Sequence, residues 1–172
     1  MTMPPAPSDP RLNIRPATIQ DVPMILSFIK ELAGYERLAH EVVATEGILQ
    51  ETLFGERPYA EVVIAYYDDQ PVGYALFFHS FSTFFGRPGI YLEDVYVRSA
   101  KRGKGIGKAL LIYLAQLAKE RKCGRLEWAV LNWNEPSIRF YESLGAVAMN
   151  EWTVYRLTGA SLERLAEEKL SL

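Results

Sequence analysis

Between Ile90 and Leu111 the chain reads IYLEDVYVRSAKRGKGIGKALL, and this stretch narrows the possible folds more than any other. It opens as a strand in which Tyr91, Glu93, Val95 and Val97 share one parity, and Ile90, Leu92, Asp94 and Tyr96 the other. Apolar residues of both parities predict a strand inside a sheet, covered above and below. From Ile106 onward apolar residues recur at helical spacing, through Leu110, Tyr113, Leu114 and Leu117. Between strand and helix lies the glycine-rich, cationic turn R-S-A-K-R-G-K-G-I-G-K. That order of elements aims backbone N–H groups and the positive end of a helix dipole at an anion.

The spacing of the glycines limits which anion. A nucleotide P-loop, G-x-x-x-x-G-K-[ST], fails because Arg102 stands where its first glycine belongs and Ala109 follows Lys108. The dinucleotide fingerprint G-x-G-x-x-G fails because Gly103, Gly105 and Gly107 are spaced G-x-G-x-G. The run that fits is R-x-x-G-x-G, Arg102 to Gly107, which resembles the pyrophosphate-binding signature of the GCN5-related N-acetyltransferases, enzymes that bind acetyl-coenzyme A.

At 172 residues, 49% of them hydrophobic, the chain has the apolar mass for a single domain with a full core. The expected organisation is a disordered tail over residues 1–10, which hold four of the ten prolines, and one domain over 11–172. A net charge of -2 argues against a nucleic-acid binder. The lone Cys123 excludes an intrachain disulfide and suits a reducing compartment. No secretory signal opens the sequence, and its longest apolar run, Ala109–Leu114, is far too short to span a membrane. A cytoplasmic protein without a membrane partner is expected.

Along the chain, Leu12–Arg15 reads as a short strand, and a helix begins between Thr18 and Asp21, with Pro23 favouring the later start. Val22, Leu26, Ile29 and Leu32 form its buried stripe, and it ends near Gly34, leaving Tyr35 and Glu36 in a loop. A second helix follows Thr45. Ala60–Tyr67 and Val72–His79 form a hairpin across D-D-Q-P, and Ser80–Gly89 reads as an aromatic loop. After the long helix, capped at Cys123-Gly124, Arg125–Leu131 reads as a parallel strand reached by a right-handed crossover. A short helix follows N-W-N-E-P-S, then a final strand at Glu151–Leu157 and a tail helix at Leu162–Lys169.

Glu93 and Asp94 interrupt an apolar strand, where an unpaired charge is costly to bury. Parity assigns Glu93 to the active-site side as a general base acting through water; the alternative is a structural ion pair with Arg98 or Arg125. Tyr141 could protonate a leaving thiolate, or could simply pack on its amphipathic helix. Asn134, just ahead of Pro136, reads as a helix N-cap. Cys123, near a helix C-terminus, is a poor nucleophile, and one cysteine with two distant histidines makes no metal site.

The stretches IRPAT, IKELAGYE, YLEDVYV, RGKGIG and WNEPSIRFYESLGA together resemble the diamine (spermidine/spermine) and thialysine acetyltransferase branch of that superfamily, from about Ile14 to Leu157. The resemblance implies an α/β (α+β) fold: a mixed, mostly antiparallel sheet with a splayed parallel strand pair, flanking helices, and the pantetheine arm lying as an extra strand. It implies acetyl-CoA as cofactor, a small-molecule amine as substrate, and a homodimer. Carried over by position, backbone groups of Val95, Tyr96 and Val97 would contact pantetheine and the acetyl group. The amides of Arg102, Gly103, Lys104, Gly105, Ile106, Gly107 and Lys108 would hold the pyrophosphate. Asn134, Pro136 and Ser137 would lie along the cofactor, with Tyr141 as general acid near its sulfur. Glu93 would be the water-linked base, and Tyr35 and Glu36 would border the amine. Polyamine enzymes of the branch carry an acidic patch near the last strand; here A-M-N-E-W-T-V-Y-R is slightly shorter, and Glu151 matches the patch only with a shift.

The expected activity is direct acetyl transfer from acetyl-CoA to a primary amine of a di- or polyamine or a lysine-like acceptor. The alternatives are a catalytically weak acetyl-CoA sensor or dimeric scaffold, and a protein lysine or N-terminal acetyltransferase.

Overall fold

The computed structural model describes residues 9–170, so the expected disordered tail lies, except for Asp9 and Pro10, outside the described residues. The described chain divides into two compact units, one ending at Leu131 and one beginning at Asn132.

In the first unit, strand β1 (Leu12–Pro16) leads into a single 3-10 turn, Ile19–Asp21. There the Asp21 carboxylate accepts from the Thr18 backbone N–H at 2.8 Å. Helix α1 (Val22–Tyr35) starts at once, with Pro23 in its first turn, where no intrahelical N–H is needed. Its buried face is Val22, Ile25, Leu26, Phe28 and Leu32, so Ile25 and Phe28 carry the stripe more than Ile29. The helix includes Tyr35, one residue past the expected end. Helix α2 (Glu46–Phe54) is capped by Thr45, whose hydroxyl accepts from Ile48 N–H.

Strands β2 (Glu61–Tyr67) and β3 (Gln70–Ser82) form the expected hairpin. Asp68 and Asp69 turn it with φ of 51° and 58°, the twist that suits a tight two-residue turn. The stretch Ser80–Gly89 is not a loop: β3 runs on to Ser82 and β4 (Arg87–Val97) begins at Arg87, pairing Ser80 with Gly89 and Ser82 with Arg87. Its aromatic residues favour a pleated surface, and the pairing with β4 extends the ladder. Helix α3 (Ile106–Glu120) then crosses to β5 (Leu126–Trp128). The left-handed residue after α3 is Lys122 (φ 57°), not Gly124.

The sheet order is β1-β2-β3-β4-β5, antiparallel except for the parallel pair β4–β5. Val62, Ile64 and Tyr74 on one face pack with α1 and α2 in a buried cluster. Helix α3 contacts β1, β3, β4 and β5. Strand β5 is shorter than the expected Arg125–Leu131: its ladder spans Ile90↔Leu126 to Leu92↔Trp128 and stops. It stops where β4 carries a bulge, since Leu76 pairs with Asp94 but Phe77 with Leu92, leaving Glu93 as the extra residue. A bulge bends its strand and breaks the ladder locally, so the parallel strands part at that point.

In the second unit, α4 (Glu135–Ser143) and α5 (Gly159–Glu167) are the regular elements. The strand expected at Glu151–Leu157 is not formed; these residues carry no ladder and are exposed, Val154 by 82% and Tyr155 by 92%. Alternation alone makes no strand, because a strand exists only through the partner it pairs with.

Candidate active site

The glycine turn builds an anion cradle from main chain alone. Gly103 and Gly105 hold φ of 76° and 77°, in the left-handed region where a side chain is disfavoured. Gly105 caps α3, and the first helical bond is Ala109 N–H to Gly105 C=O at 2.9 Å. The N–H groups of Ile106, Gly107 and Lys108 therefore have no acceptor within the helix and point along its axis toward the turn. A Cβ built on Gly103 or Gly105 would meet nothing within 4 Å, so the space beside the turn is open. The ammonium groups of Lys101 and Lys104 sit 5.4 and 5.1 Å from the Tyr67 ring and add positive charge. The diphosphate of coenzyme A fits a cradle of this kind.

Beyond the bulge, β4 has a partner strand on one side only among the described residues. Asp94, Val95, Tyr96 and Val97 pair with Leu76, Ala75, Tyr74 and Gly73 of β3, while the ladder to β5 has ended at Leu92. Strand geometry points the N–H and C=O of alternate residues away from β3, toward the edge that β5 has left. An extended ligand can bind such an edge as an added strand. The expected contact residues Val95, Tyr96 and Val97 all lie on it.

The bulge also changes which face each carboxylate takes. Strict alternation grouped Glu93 with Tyr91, Val95 and Val97; the register instead puts Tyr91, Asp94 and Tyr96 on one face, and Ile90, Leu92, Val95 and Val97 on the other. Glu93 is exposed at the irregularity, with its backbone outside the β3 register. Asp94 is the half-buried acid, and the Tyr74 hydroxyl donates to its Oδ2 at 2.8 Å. Burial pushes the Asp94 carboxyl above the ordinary aspartate value, against the opposing pull of Tyr74. Burial also raises Glu36, with the nearby charge of Asp94 adding to the effect. Tyr74 lies well above an ordinary phenol because of burial and then the Asp94 charge. Glu36 and Asp94 thus lie close enough for the charge of one to act on the other, and both carboxyls would gain from a nearby cation.

Sequence reasoning missed Asp94 and Tyr74 as site residues; the second acid of Y-L-E-D was the available signal. Of the two arginines near this strand, Arg98 binds Glu31 at 2.8 Å and the Pro71 carbonyl at 3.0 Å, and Arg125 pairs with Glu127 at 2.7 Å. The Cys123 thiol is half-buried and pushed up by burial.

The structure brings the turn together with Tyr35 and the end of β4. The Arg102 guanidinium lies 4.5 Å over the Tyr35 ring and 5.6 Å from the Tyr96 ring, and its Nε donates to the Val97 carbonyl at 3.0 Å. The other expected site residues belong to the second unit. There Asn134 caps α4, its side chain accepting from Ser137 N–H at 3.4 Å, and Pro136 occupies the first turn. Tyr141 is half-buried, with its ring 5.4 Å from Phe140, and Glu151 is exposed in a turn.

A mixed sheet whose parallel strands part beside a main-chain anion cradle defines the N-acetyltransferase class of acyltransferases. Residues 27–146 match the acetyltransferase (GNAT) family, and the chain belongs to that family. It is 38% identical to the thialysine N-epsilon-acetyltransferase of Bos taurus, across 89% of this chain and 96% of that protein. It is 33% identical to the L-ornithine N5-acetyltransferase NATA1 of Arabidopsis thaliana, across 93% of this chain and 89% of that protein. Among solved structures, an integron cassette protein from V. cholerae superposes with a TM-score of 0.78 at 28% identity, covering 92% of this chain and 99% of that one.

Proposed function

We propose that the protein transfers an acetyl group directly from acetyl-CoA to a primary amine of a lysine-like amino acid, such as thialysine or ornithine, or of a small di- or polyamine. The observation that carries the acceptor class is the acidic pair Glu36 and Asp94: burial raises both carboxyls, the Asp94 charge raises Glu36 further, and a nearby ammonium would offset both effects. The named activities of the thialysine and ornithine relatives point to the same acceptors.

When bound, acetyl-CoA supplies a thioester carbonyl open to attack by an amine. On this reading the amides at Gly105–Lys108, with Lys101, Arg102, Gly103 and Lys104, hold its diphosphate, and the vacated edge at Val95, Tyr96 and Val97 holds its pantetheine arm. An alkylammonium of pKa about 10.4 has no lone pair to attack with, so it must give up a proton. Glu93, exposed where the bulge begins, takes that proton through water. Asp94 and Glu36 draw in the ammonium, with Tyr35 and Glu151 bordering the acceptor. The family resemblance supports the further reading that Asn134, Pro136 and Ser137 would line the cofactor and that the Tyr141 phenol would give its proton to the departing sulfur. A cytoplasmic homodimer accompanies this reading.

The test is a thiol-release assay with acetyl-CoA against thialysine, ornithine, putrescine, spermidine and a lysine-containing peptide. Turnover on a free amine is the expected result. Acetylation of the peptide alone would move the assignment to protein lysines. Binding of acetyl-CoA without turnover on any amine would leave a coenzyme sensor.

A further inference from the structure

Arg102 opens the R-x-x-G-x-G run, and its exposed side chain lies back across Tyr35. The guanidinium lies on the Tyr35 ring at 4.5 Å, with Tyr96 at 5.6 Å, while Nε donates to the Val97 carbonyl at 3.0 Å. One side chain therefore ties together the anion turn, the open end of β4 and the last residue of α1. The next residue, Glu36, is the C-cap of α1 and feels the charge of Asp94. After it, Arg37 holds φ 64°, a conformation a non-glycine residue keeps only where its surroundings hold it. The position of Glu36 thus depends on what Tyr35 rests against.

We propose that Arg102 and Tyr35 are a positioning pair: occupancy of the glycine turn fixes the Arg102–Tyr35 stack, the stack fixes Glu36, and coenzyme and amine consequently bind with positive cooperativity. This rests on the assignment of the turn to the diphosphate and of Glu36 and Asp94 to the amine. The chemistry of arginine permits both contacts at once. The plane of the guanidinium stacks on the ring and Nε serves Val97, while the outer N–H groups of the fork remain able to meet a phosphate. A lysine could not do both. Coupling between two sites is reciprocal, so it can be read from either ligand.

The test uses a pair that cannot react: calorimetric titration of thialysine, or whichever amine turns over best, with and without saturating CoA. In the wild type CoA lowers the amine Kd by roughly fivefold or more, the lower end of ordinary coupling between sites. Tyr35→Phe, which keeps the ring face, keeps that ratio. Tyr35→Leu brings the ratio to within about twofold of one. Arg102→Lys, which keeps the charge but not the planar fork, does the same and serves if Tyr35→Leu does not fold. A wild-type ratio near one, or a Tyr35→Leu ratio equal to the wild type, overturns the proposal. If Tyr35 merely touches the amine, Tyr35→Leu weakens binding equally in both titrations, leaves the ratio unchanged and overturns it too. The two readings fail differently. Independent binding of both ligands with turnover intact removes only the cooperativity; no coenzyme binding, or no amine acetylated, removes the acetyltransferase reading and this proposal with it.

Discussion

Adjacent carboxylates at Glu93 and Asp94 have opposite surroundings, and that difference assigns them different work. Asp94 is half-buried under the Tyr74 hydroxyl, with a carboxyl raised mainly by burial; Glu93 is exposed where β4 bulges. Because the folded-state value of Asp94 lies above the unfolded one, its proton favours the fold. That contribution is full below the unfolded value and is lost as pH rises through the folded one. Asp94→Asn removes the buried charge and keeps an oxygen for Tyr74. It is expected to raise Tm at pH 8 by about 2–4 °C, what roughly 1 kcal/mol does in a domain of this size, with the gap closing as pH falls through the carboxylate range. The same variant should lose about tenfold or more in kcat/KM for the amine, the cost of losing a charge-assisted contact. A variant both less stable at pH 8 and fully active would refute the placement of the amine at Asp94. Glu93→Gln should leave Tm nearly unchanged and lower kcat/KM by about 10²-fold near pH 7, with the deficit shrinking toward pH 10, where the amine sheds its proton unaided. A deficit that does not vary with pH would remove Glu93 from the proton path.

At the scale of single elements, the glycine turn is where local chemistry and ligand chemistry meet. Gly105 needs φ 77° and caps α3, yet an added Cβ would touch nothing within 4 Å. Gly105→Ala should therefore cost only the backbone term, about 1 kcal/mol, and lower Tm by about 2–4 °C. Its methyl would enter the space proposed for the diphosphate, so the acetyl-CoA Kd should rise by about tenfold or more while turnover at saturating acetyl-CoA changes little. Equal losses in stability and none in affinity would make the turn a plain helix cap. This turn was legible in the sequence because its signals are local: glycines for left-handed backbone, apolar helical spacing beyond. The caps at Thr45 and Asn134 were legible for the same reason. The bulge was not, since Glu93 is the extra residue only relative to β3, and parity counted along one strand cannot register it. Parity accordingly groups Asp94 with Ile90 and Leu92, whereas the register puts it on the face of Tyr91; its place opposite Val95 and Val97 is as parity expects. The expected strand at Glu151–Leu157 failed similarly, because an alternating pattern does not say whether an edge is there to pair with it.

Across the whole first unit, the fastenings converge on the open end of β4. Arg98 binds Glu31 of α1 and the Pro71 carbonyl at the start of β3, Asp94 accepts from Tyr74 of β3, and Arg102 reaches Tyr35 and Val97. On the β5 side, among the described residues, the backbone ladder stops at Leu92. A sheet held firmly on one side and vacated on the other is set to take a strand from a ligand rather than to close on itself. Coenzyme A at about 100 times its Kd should then stabilise the fold by roughly 2.7 kcal/mol, or about 5–10 °C in Tm. The protection should not be spread evenly. Hydrogen exchange should slow most in peptides covering residues 94–108, where the edge of β4 and the first turn of α3 can offer backbone amides to the coenzyme. It should change little in β1 and β2, whose ladders with their neighbours are complete before any ligand arrives. Equal slowing across the sheet would mean that the coenzyme stiffens the unit without adding a strand, and the vacated edge of β4 would lose its role as the seat of the pantetheine arm.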